Sequence, residues 1–428
     1  METMSVDIPQ SSELLGFVPT AQYGDTIDAN HGSDVPANLH AANSRARGGA
    51  LHLSAVLPAL SSAIGAPVST HVHSNARELQ RALGFPNAKS AVVVLVDGLG
   101  YWNLNMMLGY APYLRSLMNE PANQRPISTC SPSTTTAALA TFGTGTCPGM
   151  TGLAGYTQLN PQTGQISQLI QFRGALPPEQ LQTMPTVFAK LREQGARATS
   201  VGMTRFMASA LTRAALRDSD YICNDNPTKR VSIAANTARE PGLTYLYMRE
   251  IDKAGHAYGW HSDEWQVAFE RVDMRLGMLH RQAPHDTLIV IVADHGMVSA
   301  DQSEGARIDI AEDPELMKGV RLVGGEPRAT MLYAEDGVNP DDLAARWRSR
   351  LGERAWIRTK REAVDGGLLG SVRDDVMPML GDVIVYAAGN NTIVDTRTQT
   401  DGATRMPGVH GSQTMLEMDI PCLIDYVE

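Results

Sequence analysis

Short apolar segments rich in β-branched residues alternate along this chain with segments of helical periodicity. The apolar segments are residues 91–96, 198–201, 243–248, 287–293 and 382–386, and helical periodicity lies between them at residues 187–193, 263–280 and 341–350. A strand that is apolar on both faces must be covered on both faces, and such strands, when helices connect them, form mainly parallel sheets. The pattern therefore predicts an α/β fold, a three-layer sandwich with helices on both faces of a mostly parallel central sheet.

The first predicted strand begins well inside the chain of 428 residues. Residues 1–50 are rich in Ser, Ala, Asn, Gly and Asp and show little periodicity, so we predict a flexible N-terminal arm. Residues 51–428 are predicted to form one domain, which opens on a short helix. Within that domain, residues 305–381 are predicted to be a small insert that lies over the functional site.

Net charge, cysteine content and the length of the apolar runs limit the partners and the cellular compartment that this chain can have. The net charge of −10 opposes binding of a polyanion, so no nucleic-acid polymer is expected as a partner. The four cysteines show no CxxC pairing, which predicts free, mostly buried thiols in a reducing compartment. The first basic residue is Arg45 and no apolar run approaches the ~20 residues that span a bilayer, so we expect a cytoplasmic protein without a membrane partner. No pattern indicates an oligomeric state.

Acidic residues and histidines follow several of the predicted strands. They are Asp97 in VDG, Asp252 and His256 in DKAGH, and Asp294 and His295 in ADHG, while a further histidine, His410, lies between glycines in the turn GVHGS. Taken singly, each could be a helix cap, a turn residue or a polar histidine. Because the carboxyl ends of parallel strands meet at one edge of a sheet, however, these side chains are expected to gather there. Carboxylates and imidazoles are the ligands of zinc-like ions, and the set is large enough for two ions.

The segment PSTTTAAL adds a hydroxyl group to this set. Its threonines open an apolar, helix-like run. A threonine here could simply be an N-cap. The functional interpretation is a nucleophilic hydroxyl at a helix N-terminus, where unpaired N–H groups and the helix dipole favour a bound phosphate.

The order of the segments VDG, PSTT, TGTCPGMTG, DxxxH, ADHG and GVHGS resembles the alkaline phosphatase superfamily. More narrowly, it resembles the nucleotide pyrophosphatase/phosphodiesterase family, including its bacterial cytoplasmic members. The resemblance runs from about residue 51 to the C-terminus and implies an alkaline-phosphatase-like catalytic domain.

The resemblance implies two divalent metal ions, zinc by preference and manganese as the alternative. It implies that one ion is held by Asp97, Asp294, His295 and the nucleophile oxygen, and the other by Asp252, His256 and His410. The family spacing, counted back from residues 144–145, places the nucleophile at Thr135, which is then also a metal ligand. Thr134 is the second choice, since the neighbouring threonines blur the register.

Substrate-binding groups are implied at Thr136 and Tyr156. Backbone N–H groups near Thr136 would stabilise the equatorial phosphoryl oxygens. Members of the family that cleave nucleotide diesters carry an Asn where this chain has Tyr156. The phenol offers a single donor there, so phosphate binding is expected while a preference for diesters does not follow.

The resemblance implies a metal-dependent hydrolase of phosphate esters or phosphoanhydrides that works through a phospho-threonine intermediate on a small phosphorylated substrate. Alternatives on the same site are a phosphomonoesterase and a phosphonate hydrolase. A phosphate-transferring mutase would need a second serine motif, and a sulfatase would need the pattern CxPxR, in which Thr134 takes the place of Arg. A non-catalytic metal-binding protein is a further alternative, although it would have little need of the complete ligand set.

Overall fold

The computed structural model describes residues 6–26, 48–303 and 305–428, and its strands form one large central sheet, a second sheet of four strands and several short pairs. In chain order the strands are β1 (Ser90–Val96), β2 (Ile127–Ser128), β3 (Thr157–Asn160), β4 (Gln165–Gln168), β5 (Ala198–Gly202), β6 (Asp220–Cys223), β7 (Gly242–Met248), β8 (Thr287–Val292), β9 (Val298–Ser299), β10 (Arg307–Asp309), β11 (Val320–Glu326), β12 (Ala329–Ala334), β13 (Ala355–Thr359), β14 (Val383–Ala387), β15 (Thr392–Val394), β16 (Gly408–Val409), β17 (Asp419–Ile420) and β18 (Cys422–Val427).

The helices agree closely with the predicted periodicity at residues 187–193, 263–280 and 341–350. In chain order the helices are α1 (Ser11–Leu14), α2 (Leu53–Ala63), α3 (Ala76–Leu83), α4 (Tyr101–Met106), α5 (Pro112–Leu117), α6 (Thr135–Thr144), α7 (Pro148–Thr151), α8 (Pro178–Leu181), α9 (Val187–Glu193), α10 (Ala210–Ala215), α11 (Pro227–Thr237), α12 (Glu250–Tyr258), α13 (Asp263–Gln282), α14 (Pro314–Met317), α15 (Pro340–Leu351), α16 (Lys360–Asp365), α17 (Asp401–Thr404) and α18 (Met415–Met418). Within the described part of the chain, no helix has both the length and the apolar character that a membrane span requires.

The central sheet confirms the predicted α/β class. Its strand order is β18-β8-β1-β7-β5-β6, and all neighbours run parallel except β18, which pairs antiparallel with β8 at one edge. Strands β1 and β8 are buried along their whole length. One group of helices (α2, α6, α9 and α10) and a second group (α5, α11, α12 and α13) pack against the sheet, which gives the helix–sheet–helix sandwich.

The region predicted as an insert forms the second sheet, with strand order β11-β12-β14-β13 and antiparallel neighbours throughout. Helix α15 covers it with buried Leu343 and Trp347. The apolar segment 382–386, predicted as a strand, belongs to this sheet as β14 rather than to the central one. The parallel pair of β10 with β15 then closes the unit, so it extends beyond residue 381.

The described part of the N-terminal arm packs against the domain, unlike the loose arm predicted from composition. The Phe17 ring lies edge-on to Trp356 at 5.0 Å, and the Val18 N–H donates to the Gln413 carbonyl at 2.8 Å. The Tyr23 ring packs on His52 at 4.6 Å. These apolar contacts are single residues without a period, so the sequence pattern carried no signal for them. Residues 1–5 and 27–47 of the predicted arm lie outside the described residues.

Candidate metal centre

Two groups of three carboxylate and imidazole side chains meet beyond the carboxyl ends of the central strands. The first group comprises Asp97, Asp294 and His295, and the second group comprises Asp252, His256 and His410. Within each group the potential ligand atoms all lie within 4.8 Å of one another. The structure thus brings together the six carboxylate and imidazole residues among the seven implied metal ligands, and it groups them as the resemblance implied.

The first group occupies the ends of β1 and β8. His295 Nε2 lies 3.6 Å from Asp97 Oδ1 and 3.4 Å from Asp294 Oδ2. The other oxygen of Asp294 accepts the backbone N–H groups of Gly98 and His295, each at 3.0 Å. These bonds fix the carboxylate of Asp294 so that Oδ2 is directed at the imidazole.

The second group combines helix α12 with the loop after β16. Asp252 and His256 stand one turn apart on α12, and Asp252 Oδ1 lies 3.1 Å from His256 Nε2. His410 Nε2 reaches to 3.2 Å from His256 Nε2 and 3.8 Å from Asp252 Oδ1.

The two groups are direct neighbours. The rings of His295 and His410 stack with centroids 3.6 Å apart. The Asp252 N–H donates to the Asp97 carbonyl at 3.1 Å, across Gly98. A Cβ atom at Gly98 would lie 3.0 Å from Asp252 Cα, and its φ of 75° is left-handed, so this approach requires glycine.

Each histidine of the centre is oriented by a backbone carbonyl. Nδ1 of His256 bonds the Gly408 carbonyl at 2.8 Å, Nδ1 of His295 bonds that of Gly296 at 3.0 Å, and Nδ1 of His410 bonds that of Ser133 at 2.9 Å. Such a bond holds Nδ1 as the donor and leaves the Nε2 lone pair directed into the centre, which is the tautomer a metal ligand needs.

Negative charge is concentrated in this small volume. Burial raises the pKa of Asp97 well above its ordinary value, and repulsion by Asp252 and Asp294 acts in the same direction. Burial also acts to raise the pKa of Asp252, but the nearby His256, His410 and His295 lower it overall. Burial alone would lower the pKa of His256, yet attraction to Asp252 raises it to about 9.

The donor set fits divalent cations. One oxygen each of Asp97, Asp252 and Asp294 is buried and accepts no hydrogen bond from the described residues. Buried carboxylate oxygens are normally paired, and a cation at each group would pair all three. Three imidazole nitrogens with carboxylate oxygens suit zinc, and manganese accepts the same ligands.

The threonine segment delivers a hydroxyl to the first group. Thr135 is the first residue of α6, and its Oγ1 lies 3.2 Å from His295 Nε2. Thr134 is the N-cap of α6, yet its side chain makes no capping bond. The Thr136 hydroxyl donates to the Gly155 carbonyl at 2.7 Å, and its backbone N–H lies in the first turn of α6, where the helix offers it no carbonyl partner.

The side chain of Tyr156 does not have the position that a phosphate-binding phenol would need. Its side chain is 38% exposed, and its hydroxyl accepts a bond from Gln168 Nε2 at 2.6 Å. The backbone N–H of Tyr156 instead acts on the carboxyl group of Glu326, whose pKa burial raises to about 8 against the lowering effect of this N–H. The structure therefore turns the main chain of this residue, rather than its phenol, toward the interior.

Sequence reasoning missed three contributors. The Tyr247 hydroxyl donates a short hydrogen bond to Asp97 Oδ2, and Tyr247 lies next to last in β7, so its place near a strand end was the available signal. Arg328 forms a fully buried, two-bonded ion pair with Glu417, with bonds of 3.1 and 2.7 Å, which ties the second sheet to the His410 loop. Glu326 lies two residues before Arg328 in the segment GEPR, and its buried side chain packs against Gly411, the residue after His410.

Comparison with known proteins gives one matching sequence family. The profile of a family described as type I phosphodiesterase / nucleotide pyrophosphatase matches residues 91–413. No curated protein sequence matches the chain.

Among solved structures, phosphonoacetate hydrolase from Sinorhizobium meliloti 1021, in complex with phosphonoformate, is similar with a TM-score of 0.63 at 20% identity, over 80% of this chain and 91% of that chain. The inactive threonine-to-alanine variant of murine ectonucleotide pyrophosphatase / phosphodiesterase 5, in complex with AMP, gives a TM-score of 0.59 at 17% identity, over 78% and 87%. The human protein of that name gives a TM-score of 0.58 at 15% identity, over 78% and 87%. These likenesses show a shared fold.

Proposed function

Because the chain belongs to the type I phosphodiesterase / nucleotide pyrophosphatase family, we propose that it is a metal-dependent hydrolase of phosphate esters or phosphoanhydrides with Thr135 as nucleophile. The observation that carries this proposal is the position of the Thr135 hydroxyl. It stands at the N-terminus of a ten-residue helix and 3.2 Å from His295 Nε2, at the edge of the first group.

We assign one zinc or manganese ion to the first group together with Thr135 Oγ1, and a second to the second group. Two such ions would lower the pKa of the attacking hydroxyl and stabilise charge on the leaving oxygen. Hydrogen bonds within the chain orient the proposed ligand atoms. The histidines that bond backbone carbonyls through Nδ1 direct Nε2 into the centre, and two backbone N–H groups fix the Asp294 carboxylate.

In the proposed reaction Thr135 Oγ1 loses its proton and attacks phosphorus in line, the bond from phosphorus to the leaving oxygen breaks, and the leaving oxygen takes up a proton from solvent. The product at this stage is a phospho-threonine. Backbone N–H groups in the first turn of α6 have no carbonyl partner within the helix and face the incoming phosphoryl group, whose equatorial oxygens they would bind. Water then attacks phosphorus, which releases phosphate or a phosphate ester and restores the hydroxyl.

A phosphonate hydrolase is the second candidate. The observation in its favour is that phosphonoacetate hydrolase shares the fold over 91% of its own length. In addition, Tyr156 occupies the position at which nucleotide diesterases of the family carry Asn, so the side-chain amide expected in such enzymes is replaced by a phenol. A sulfatase is disfavoured because Cys130, the residue that would take part, is buried, and burial raises the pKa of its thiol to about 12.

The nucleophile is tested with Thr135→Ala, and Thr134→Ala serves as the matched control. Turnover of Thr135→Ala should fall by at least ~10³-fold, since both the attacking oxygen and one metal contact are lost. Rapid acid quench of the wild-type enzyme during turnover, followed by peptide mass spectrometry, should locate phosphate on Thr135. Label on Thr134 would move the nucleophile by one residue. Full activity of Thr135→Ala with no labelled threonine would instead indicate direct attack by water.

The substrate class is tested by initial rates with zinc and with manganese. The substrates are bis(4-nitrophenyl) phosphate, 4-nitrophenyl phosphate, 4-nitrophenyl sulfate and phosphonoacetate. We expect hydrolysis of at least one of the two phosphate esters and none of the sulfate. Turnover of phosphonoacetate alone would favour the second candidate, and inactivity on all four would favour a non-catalytic protein.

A further inference from the structure

The side chain of Tyr247 reaches the first group of proposed ligands from a neighbouring strand. Strand β7 pairs with β1 so that Tyr247 lies opposite Leu95, two residues before Asp97. Opposite residues of paired strands share a face of the sheet, and so do residues two apart on one strand. The Asp97 N–H donates to the Met248 carbonyl at 2.8 Å, so the pairing continues to the end of β7. The phenol of Tyr247 and the carboxylate of Asp97 therefore begin on the same face.

The Tyr247 hydroxyl divides the two oxygens of Asp97 between two tasks. It donates to Oδ2, while Oδ1 of the same carboxylate lies 3.6 Å from His295 Nε2. In Asp294 the backbone does the same: Oδ1 accepts the N–H groups of Gly98 and His295, and Oδ2 lies 3.4 Å from His295 Nε2. Each carboxylate of the first group thus has one oxygen held by the protein and the other directed at the centre. Only for Asp97 is the holding group a side chain, which a substitution can remove.

The ring of Tyr247 is itself fixed by packing. The Phe206 ring meets it edge-on, with centroids 6.0 Å apart. Phe206 ends the short 3-10 helix that follows β5, and the Thr204 N–H at the start of this helix donates to Asp225 Oδ1 at 3.0 Å. On its other side Phe206 carries the Arg205 guanidinium, 4.7 Å from the ring centroid. A phenol that is packed along its ring and bonded at its tip can hold a carboxylate in one orientation.

We propose that Tyr247 is a positioning residue, whose hydroxyl holds Asp97 Oδ2 so that Oδ1 is presented to an ion in the first group. This inference rests on the proposed function, because it needs an ion in that group. Removal of a group that orients a metal ligand typically costs ~10–100-fold in metal affinity. The effect should be confined to the first ion, since His256 and His410 of the second group are oriented by main-chain carbonyls.

The test variant is Tyr247→Phe, which keeps the ring and loses the O–H. Tyr221→Phe is the matched control: Tyr221 is a partly buried tyrosine of β6 whose hydroxyl donates to the Met203 carbonyl at 3.1 Å, so this variant also loses one hydrogen bond. Each substitution is made in two backgrounds, His410→Ala to isolate the first ion and His295→Ala to isolate the second. The zinc-loaded full chain is equilibrated with chelators of graded strength, and elemental analysis of the retained zinc gives Kd.

In the His410→Ala background we expect Tyr247→Phe to raise the Kd for zinc at least ~10-fold. In the His295→Ala background it should leave the Kd unchanged, and Tyr221→Phe should change neither value. Cobalt(II) in place of zinc gives a second readout, because its visible absorption follows the arrangement of the ligand atoms and not the stability of the fold. At full occupancy of the first group, Tyr247→Phe should alter this spectrum and Tyr221→Phe should not.

An unchanged Kd and spectrum in Tyr247→Phe would overturn the inference, and so would equal weakening in both backgrounds or in Tyr221→Phe, which would indicate general destabilisation. If His410→Ala loses both ions, the comparison is made in the otherwise intact chain, where Tyr247→Phe must weaken zinc binding at least ~10-fold more than Tyr221→Phe. If the wild type holds two zinc ions and hydrolyses esters while Tyr247→Phe fails these tests, only this inference fails. If the wild type holds no zinc, the proposed function fails with it.

Discussion

At the scale of single residues, the centre depends on how its histidines are held. Each of the three histidines bonds a main-chain carbonyl through Nδ1. The direction of Nε2 is therefore set by a backbone group and not by another side chain; the residues are His256, His295 and His410. A substitution at one histidine should therefore remove one ligand without turning the other two. The two groups are linked by a ring contact between His295 and His410, by a backbone hydrogen bond from Asp252 to Asp97, and by the electrostatic interaction of their charged side chains.

We accordingly expect His410→Ala to lose the ion of the second group while the first group keeps most of its own. Elemental analysis after dialysis against buffered zinc should give about one ion per chain instead of two. His280→Ala is the control, because His280 is a partly exposed histidine that bonds Asp425 away from the centre. Loss of both ions in His410→Ala would mean that the ions bind only as a pair.

At the scale of elements, one buried ion pair joins the second sheet to the loop that carries His410. Arg328 near the start of β12 and Glu417 in α18 are both fully buried, and Glu417 also accepts the Ser412 N–H at 2.9 Å. The pair therefore fixes both the Glu326 strand and the loop between His410 and α18.

Arg328→Met should lower the free energy of unfolding by about 3–5 kcal/mol, because it leaves the Glu417 charge buried without its partner. Urea denaturation of the metal-loaded protein measures the change. The exposed pair Arg213–Glu179 provides the control: Arg213→Ala should cost less than about 1 kcal/mol. Equal effects of the two substitutions would show that Glu417 finds other partners or reaches solvent.

The docking of the N-terminal arm depends on histidines that must remain neutral. Ser54 Oγ lies between His52 Nδ1 at 2.9 Å and His73 Nε2 at 2.8 Å, and Asp25 of the arm lies 3.3 Å from His73 Nδ1. Burial lowers the pKa of His52 to about 3 and that of His73 to about 4. Where release of the arm exposes both rings, they take up protons near the ordinary pKa of 6.5, which outweighs the attraction of Asp25 for a charged His73. We therefore expect docking to be fully stable above pH 6.5 and to weaken as the pH falls toward 4.

We expect the amides of residues 20–26 to exchange faster at pH 5 than at pH 7.5, after correction for intrinsic rates. Hydrogen exchange with mass spectrometry measures this, and peptides from β1 and β8 serve as the internal control. His73→Gln should reduce the pH dependence, because one of the two buried ionisable rings is gone. Equal protection at both pH values would show that the arm stays docked when the histidines are charged.

At the scale of the whole molecule, the candidate metal centre joins β1, β8, α12 and the His410 loop, which are far apart in sequence. Without cations, the carboxylates of Asp97, Asp252 and Asp294 repel one another at the middle of the sheet. Ions that bind only the folded chain stabilise it by mass action.

Exhaustive chelation should therefore lower the Tm measured by calorimetry, and added zinc should restore it. In the metal-free state Asp97→Asn should unfold at a higher temperature than wild type, because one charge of the repelling set is gone. With zinc present the order should reverse, since the variant lacks a ligand. A Tm that does not respond to chelation, with removal confirmed by elemental analysis, would contradict stabilisation by metal.

Prediction from sequence succeeded where a signal is local. The strands around 91–96 and 287–293 are continuous apolar runs, and Asp97 and Asp294 follow them directly, so both the fold class and the meeting of these side chains at one sheet edge could be predicted. Pairing between distant segments produces no periodic pattern in the sequence. The edge strand β18, the second sheet around residues 382–386 and the docked arm all depend on such pairing. The same holds for Tyr247, which bonds Asp97, and for Glu326, which lies against Gly411. Both contacts are made with segments that are distant in sequence.

The arm also relates the order of synthesis to the finished site. Phe17 and Val18 are synthesised well over 300 residues before Trp356, Gln413 and Thr414, which they contact. These two residues must therefore wait for their partners, whereas Tyr23 and Asp25 meet His52 and His73 much sooner. Since the partners of Phe17 and Val18 lie on both the second sheet and the His410 loop, the arm joins these two regions only after translation has passed residue 414. Full docking of the arm thus reports that translation has passed that residue, and a chain released before it would leave Phe17 and Val18 without these contacts.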